Sequence, residues 1–184
     1  MSNFIVQFPL VIEKYQEDIL DKRFEIGRKI YNSLVSLTQK RYKEMVKTKK
    51  YRTLLSQLTG DKKKDKTVYR EIQLMRKEYG LTEYSFHSAV KEMQKHFKEN
   101  IDAFTSQKIA TNLWKAYDKL FYGNGEVIHY KKFGNMNALE GKSNSTGIRF
   151  KDDVLLWNGL KIPVRINYNN LYEYQAIQII IRLS

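Results

Sequence analysis

Val154-Leu155-Leu156-Trp157-Asn158-Gly159-Leu160-Lys161-Ile162-Pro163-Val164-Arg165-Ile166 is the stretch whose reading decides the fold class. Two apolar runs flank Asn158-Gly159, and an Asn-Gly pair supplies the two positive φ angles that a type I′ turn needs. The sequence therefore predicts a β-hairpin with arms at 154–157 and 160–166. In the second arm Ile162, Val164 and Ile166 alternate with Lys161, Arg165 and Asn167, an apolar face against a polar one. Pro163 donates no ladder hydrogen bond, so this arm is expected at an edge or a bulge.

Around the hairpin the same period of two recurs. Residues 127–133 read as a strand, and residues 174–183 as a last one with Ile177, Ile179, Ile181 and Leu183 on one face. At the other end of the chain Phe4, Val6 and Phe8 alternate before Pro9, which predicts a short strand at 3–8. Between these lies a different pattern. Residues 13–122 hold no proline, and Leu20, Phe24, Gly27, Tyr31, Leu34, Thr38, Tyr42 and Met45 step by four and three along one helix face. Helical spacing returns at 51–58, at Val68, Ile72, Met75 and Tyr79, at Phe86, Val90, Met93 and Phe97, and at 110–121. Thr82 and Asp102 are candidate N-caps, and Gly60, Gly80 and Gly123 are candidate stops.

An N-terminal strand must pair its backbone groups somewhere, and the strands available are C-terminal. The expected organisation is α+β: a first strand in 1–12, a helical domain inserted over 13–122, and the remainder of a β-domain over 123–184. The chain stops at Ser184 on the heels of its last strand, which reads as a truncation, natural or engineered.

Charge narrows the function. The 184 residues carry a net charge of +13, and residues 40–66 alone hold eleven basic residues against three acids. Such a concentration repels itself unless a polyanion neutralises it. Nucleic acid is the usual polyanion and an anionic membrane surface the second; a merely soluble basic surface is the plainer reading. No window is apolar enough for a membrane span, no secretory signal is visible, and the absence of cysteine excludes thiol chemistry within this chain; a cytoplasmic protein is expected.

Catalytic constellations are missing from the pattern. His87, His96 and His129 are scattered, and Glu92 with His96 reads as an i,i+4 surface pair rather than half a metal site. Asp152-Asp153 reads as a solvated turn, and Gly123-Asn124-Gly125 lacks the Lys-[Ser/Thr] of a phosphate loop. No cofactor is expected and no enzyme activity. The candidates are instead binding residues. Lys40, Lys43, Lys47, Lys49, Lys50, Arg52, Lys62, Lys63 and Lys64 offer phosphate contacts from the helical zone, interleaved with Tyr42, Tyr51 and Tyr69. Tyr130, Lys131, Lys132, Lys142, Asn144, Arg149, Lys161 and Arg165 offer them from the strand zone, where the run 141–150 is small, hydroxylated and basic. Tyr31, Tyr42 and Tyr79 fall on the apolar stripes and are expected in the core.

Several segments resemble one family. Arg23-Phe24-Glu25-Ile26-Gly27-Arg28-Lys29-Ile30-Tyr31-Asn32 is similar to the first long helix of the transposon-encoded TnpB (OrfB) proteins, relatives of the type V CRISPR effectors. Ser106-Gln107-Lys108-Ile109-Ala110 and 113–120 resemble the helix that leads back to that family's β-domain. Val127-Ile128-His129-Tyr130-Lys131-Lys132, the run 139–150, and Leu160-Lys161-Ile162-Pro163-Val164 are similar to the segments that follow, in the same order. The resemblance implies a wedge domain of oligonucleotide-binding barrel type with a recognition bundle inserted after its first strand. It further implies a guide-type structured RNA and a double-stranded DNA target as partners, and a RuvC-type nuclease half that is absent here, so that no catalytic residue carries over. The alternatives are an unrelated basic nucleic-acid-binding regulator and an interaction module for acidic partners.

Overall fold

The computed structural model describes residues 5–61, 63–122, 127–166 and 174–180. Among the described residues five helices come first. The longest, α1 (Lys14–Val46), runs 33 residues and starts at a capping box in which the Gln16 side chain accepts from the Glu13 amide. Thr48 caps α2 (Lys49–Ser56) by accepting from the Tyr51 amide. A tight turn then leads to α3 (Lys66–Glu78). Its centre is Asp65, whose carboxylate accepts from the Thr59 amide at 2.9 Å, the Thr59 hydroxyl at 2.8 Å and the Gly60 amide at 2.9 Å. These bonds, the Thr59 amide foremost, favour the ionised form and hold Asp65 below the usual carboxylate pKa. Thr82 and Asp102 cap α4 (Glu83–Lys95) and α5 (Ala103–Phe121), as their side-chain chemistry predicts.

Five short strands follow among the described residues: β1 (Ala138–Glu140), β2 (Arg149–Lys151), β3 (Val154–Trp157), β4 (Leu160–Pro163) and β5 (Gln178–Ile180). The chain is thus α+β. β2, β3 and β4 form an antiparallel meander, and β1 pairs antiparallel with β5. The hairpin of β3 and β4 turns at Asn158 (φ 45°) and Gly159 (φ 78°), the two positive angles expected there. The β2–β3 turn uses Asp152 (φ 51°) and Asp153 (φ 59°), exposed and left-handed, in place of a second Asn-Gly.

Helices and strands share one core. From the helical side Ile30, Leu34, Val35, Leu113 and Tyr117 are buried, and from the strand side Leu139, Ile148, Trp157 and Ile162. Each fully buried aliphatic side chain contributes about 1.5–3 kcal/mol. α1 and α5 both pack on β1. Gly27 in mid-α1 allows this: a Cβ there would stand 2.9 Å from Leu139 Cδ2, so its absence lets the strand approach the helix. Lys108 of α5 pairs with Glu140 of β1 at 2.8 Å across the same layer boundary.

Three strand expectations are corrected. Residues 5–9 form no strand; the N-terminal segment joins β4's extension one step later, through a Leu10–Val164 antiparallel bridge, with the Val11 amide donating to Pro163 O at 2.9 Å and the Arg165 amide to Pro9 O at 2.9 Å. Residues 127–132 form no strand and Phe133 lies in a turn; α1 side chains rather than a neighbouring strand take up backbone groups of this segment. Of 174–183, the strand covers Gln178–Ile180; residues 181–183, like 3–4, Lys62 and Gly123, lie outside the described residues. Among the described residues the strands form two separate sheets and no closed barrel. No described helix is long and apolar enough to cross a membrane.

Candidate nucleic-acid interface

The basic residues sort into three patches. The first is a groove along the second half of α1. Ser36, Lys40, Lys43 and Lys47 follow one another at steps of four, three and four, so they share a helix face; with Gln39, Glu44 and Tyr130 they line an open cavity of about 370 Å³. The 127–132 segment that supplies Tyr130 is fixed to α1 by backbone-directed bonds. Gln39 donates to Ile128 O at 2.7 Å, and Tyr31 Oη to His129 O at 3.4 Å. Asn32 grips residue 131 from both sides, donating to Lys131 O and accepting from the Lys131 amide, each at 2.9 Å. Arg28 adds a second donor to Lys131 O at 3.0 Å. Ile128 is buried beneath, while the Tyr130 side chain stays 53% exposed beside the three lysines.

Lys131 points elsewhere: its ammonium lies 5.3 Å from the Tyr31 ring centroid, a cation–π contact. Lys132 is exposed next to it.

The second patch is on α2 and the 59–65 turn. Lys49, Lys50, Arg52, Lys63 and Lys64 are all exposed there. Lys50 is 3.7 Å from Glu71 of α3, and Arg52 donates to Lys47 O at 3.3 Å. The Lys63 amide donates to Asp61, which shapes the turn. The stacking partners expected from the sequence are absent from this patch: Tyr51 is buried, and Tyr69 packs on Tyr122 with centroids 6.0 Å apart.

The third patch is the outer face of the meander. Arg149, Leu156 and Lys161 stand opposite one another in one cross-strand row, and Lys151 shares that face in the next. A cavity of about 660 Å³ opens at the β2 edge, lined by Ser143, Asn144, Arg149, Lys151 and Tyr174 among others. Asn144 is engaged internally. Its amide donates to Phe150 O at 3.1 Å and its carbonyl accepts from the Phe150 amide at 2.6 Å, so the side chain stands in for a neighbouring strand. Lys142 and Arg165 are exposed at either end of the region.

First and third patches are far apart. Lys161 O accepts from Gln16 at the start of α1, at 2.9 Å. From Gln16 to Lys43 the helix rises about 40 Å. Reasoning from sequence missed Ser36, Gln39 and Lys151 as lining residues. Ser36 was detectable, since it continues the Lys40–Lys43–Lys47 spacing by one turn; the clamp residues Arg28 and Asn32 gave no local signal.

Other polar side chains pair with one another. Glu92 pairs with Lys95 at 2.8 Å, rather than with His96. His87 shares a hydrogen bond with Thr111 at 2.8 Å. Among the described residues no group of three or more His, Asp or Glu is placed to hold a metal ion. No protein-family model, no curated protein and no solved structure matches the chain.

Proposed function

We propose that the chain is a nucleic-acid-binding module that holds structured RNA and double-stranded DNA without cutting either, built like the wedge and recognition portion of a TnpB-like RNA-guided nuclease. The observation that carries the binding is the alignment of Lys40, Lys43 and Lys47 on one helix face with an exposed, backbone-clamped Tyr130 beside them. Lys40 to Lys47 spans about 10 Å of helix, long enough to reach successive phosphates of one nucleic-acid strand. The meander's Arg149 and Lys161 offer a second contact about 40 Å away along α1, so a ligand reaching both is an extended one. The TnpB-like part of this reading rests on the order of the resembling segments. It carries with it a barrel closed by the strands of both sheets, a cytoplasmic setting, and a nuclease half on the same or another chain.

The test is a salt titration of binding to structured RNA and to duplex DNA. Each phosphate neutralised contributes a log–log slope of about −0.7 to −0.9. Replacing Lys40, Lys43 and Lys47 together with Gln is expected to reduce the slope's magnitude by about two. Retention of the full slope in the triple variant would remove the α1 groove from the interface. Tight duplex binding with no added RNA would favour the unrelated regulator over the RNA-guided reading.

A further inference from the structure

We infer that the α1 groove takes one unpaired nucleotide, its base stacked on Tyr130 and its flanking phosphates held by Lys40, Lys43 and Lys47. This rests on the nucleic-acid reading above and names the form of ligand that this one site selects.

Three features of the groove lead there. The first is the state of Tyr130. Its neighbours on both sides are pinned to α1, through Ile128 O, His129 O, and the amide and carbonyl of Lys131. The ring is therefore presented from a fixed backbone while remaining 53% exposed. A platform held in place before binding loses little entropy when a ligand arrives. Second, the groove is small: its volume of about 370 Å³ lies near the lower end of the roughly 300–1,000 Å³ that small-molecule sites span. A duplex turns only base edges to its grooves. Its base faces are covered by their neighbours, so a tyrosine face finds its partner where a base is unpaired. Third, Glu44 is the one acid among the described lining residues. In a plain phosphate track it would repel the ligand. Beside a base it accepts from an exocyclic amino group, as Glu does from cytosine N4. The lysines and the tyrosine–glutamate pair thus divide the nucleotide between them, phosphates to one and base to the other.

Short single strands of RNA and of DNA share this chemistry, so both are used in the experiment, each also annealed into a duplex. Affinities are measured by fluorescence anisotropy for the wild type, Tyr130→Ala, Tyr130→Phe and the Lys40→Gln, Lys43→Gln, Lys47→Gln triple variant. Because Tyr130 is exposed, its replacement leaves the fold intact, and circular dichroism checks this. Tyr130→Ala is expected to weaken single-strand binding about tenfold, to leave duplex binding within about twofold, and to leave the salt slope unchanged. Tyr130→Phe keeps the ring and is expected to retain wild-type affinity. Removing the base from a single position of the strand is expected to weaken wild-type binding as much as Tyr130→Ala does, and to add nothing in that variant. Equal effects of Tyr130→Ala on single strand and duplex, or none on either while the lysine variant still weakens both, would overturn the inference and leave the groove a phosphate track. Failure of the wild type to bind any nucleic acid would instead overturn the broader reading.

Discussion

Two seams fasten the C-terminal chain to α1, and they use the same device to opposite ends. In the first, Arg23 reaches out of the helix and donates to Trp157 O and Asn158 O, both at 2.7 Å. Its guanidinium lies 4.8 Å from the centroid of the Trp157 ring, and the indole N–H donates in turn to Asp102, the cap of α5, at 2.9 Å. The two side chains at its centre are buried, Arg23 5% exposed and Trp157 1%, while Asn158 and Asp102 lie towards the surface. Burial lowers the arginine's pKa, against which the Asp102 charge works. In the second seam Arg28, Asn32 and Gln39 donate to backbone carbonyls at 131 and 128 in the same way. That seam is half-buried, and its product is an exposed ring. A side chain donating to a backbone carbonyl locks two elements together where it is itself buried, and presents a residue where it is only half covered.

Substitutions can break this contrast. Trp157→Ala is expected to have the largest effect, a loss of about 3–5 kcal/mol, since it empties a large core site and leaves Asp102 without its indole donor. Chemical denaturation measures it. Arg23→Met comes next, at about 2–3 kcal/mol, because it keeps the volume but strands two carbonyls. If the loss is under about 0.5 kcal/mol, the buried seam is held by packing alone and the contrast fails.

Tyr117 sharpens the rule from the other side. It is buried in α5, and among the described residues its hydroxyl makes no well-formed hydrogen bond: the nearby Thr38 hydroxyl donates to Leu34 O instead. Tyr117→Phe is therefore expected to raise stability by about 1 kcal/mol. Burial also pushes its pKa from 10.0 up to about 12. A raised pKa means a contribution that is full below pH 10 and is lost as pH climbs towards 12. The phenylalanine variant lacks that component, so its alkaline unfolding midpoint is expected at higher pH. Asn32→Ala has the smallest expected effect on stability, about 1 kcal/mol at a half-buried site. Its signature lies elsewhere: faster hydrogen exchange at the Lys131 amide and weaker single-strand binding, with the melting curve nearly unmoved.

Local chemistry was legible in the sequence and distant partnership was not. Asn158-Gly159 fixes its turn within four residues, and Thr82 and Asp102 cap their helices within three. The apolar stripe of α1 follows from spacing alone. Residues 127–133 alternate like a strand, yet their partners are side chains about a hundred positions earlier, which no local pattern encodes. Arg23 sits beside Phe24 on the buried face of a helix, and nothing nearby marks it as a donor to a hairpin 134 residues on. The site was half legible for the same reason. Tyr130 and the lysines of α1 could each be picked as nucleic-acid contacts, but not as neighbours. Tyr51 shows the converse error: it is flanked by Lys50 and Arg52 and is nevertheless 7% exposed, because the helix that carries the charges also turns that ring inward.

The span of 134 residues between Arg23 and Trp157 also sets a clock. A ribosome adds about 5–20 residues per second, so on the order of ten seconds separates the arginine's synthesis from that of its partner. α1, α4 and α5 are complete by Phe121 and can dock on one another in that interval. The contacts of the first turns of α1 and of the segment before it cannot form, because Trp157, Lys161 and Val164, which meet Arg23, Gln16 and Leu10, do not yet exist. The nascent chain must keep that end solvated while the rest of the bundle forms, and an arginine, which stays charged and soluble until a ring and two carbonyls arrive to cover it, suits the wait better than an apolar residue would.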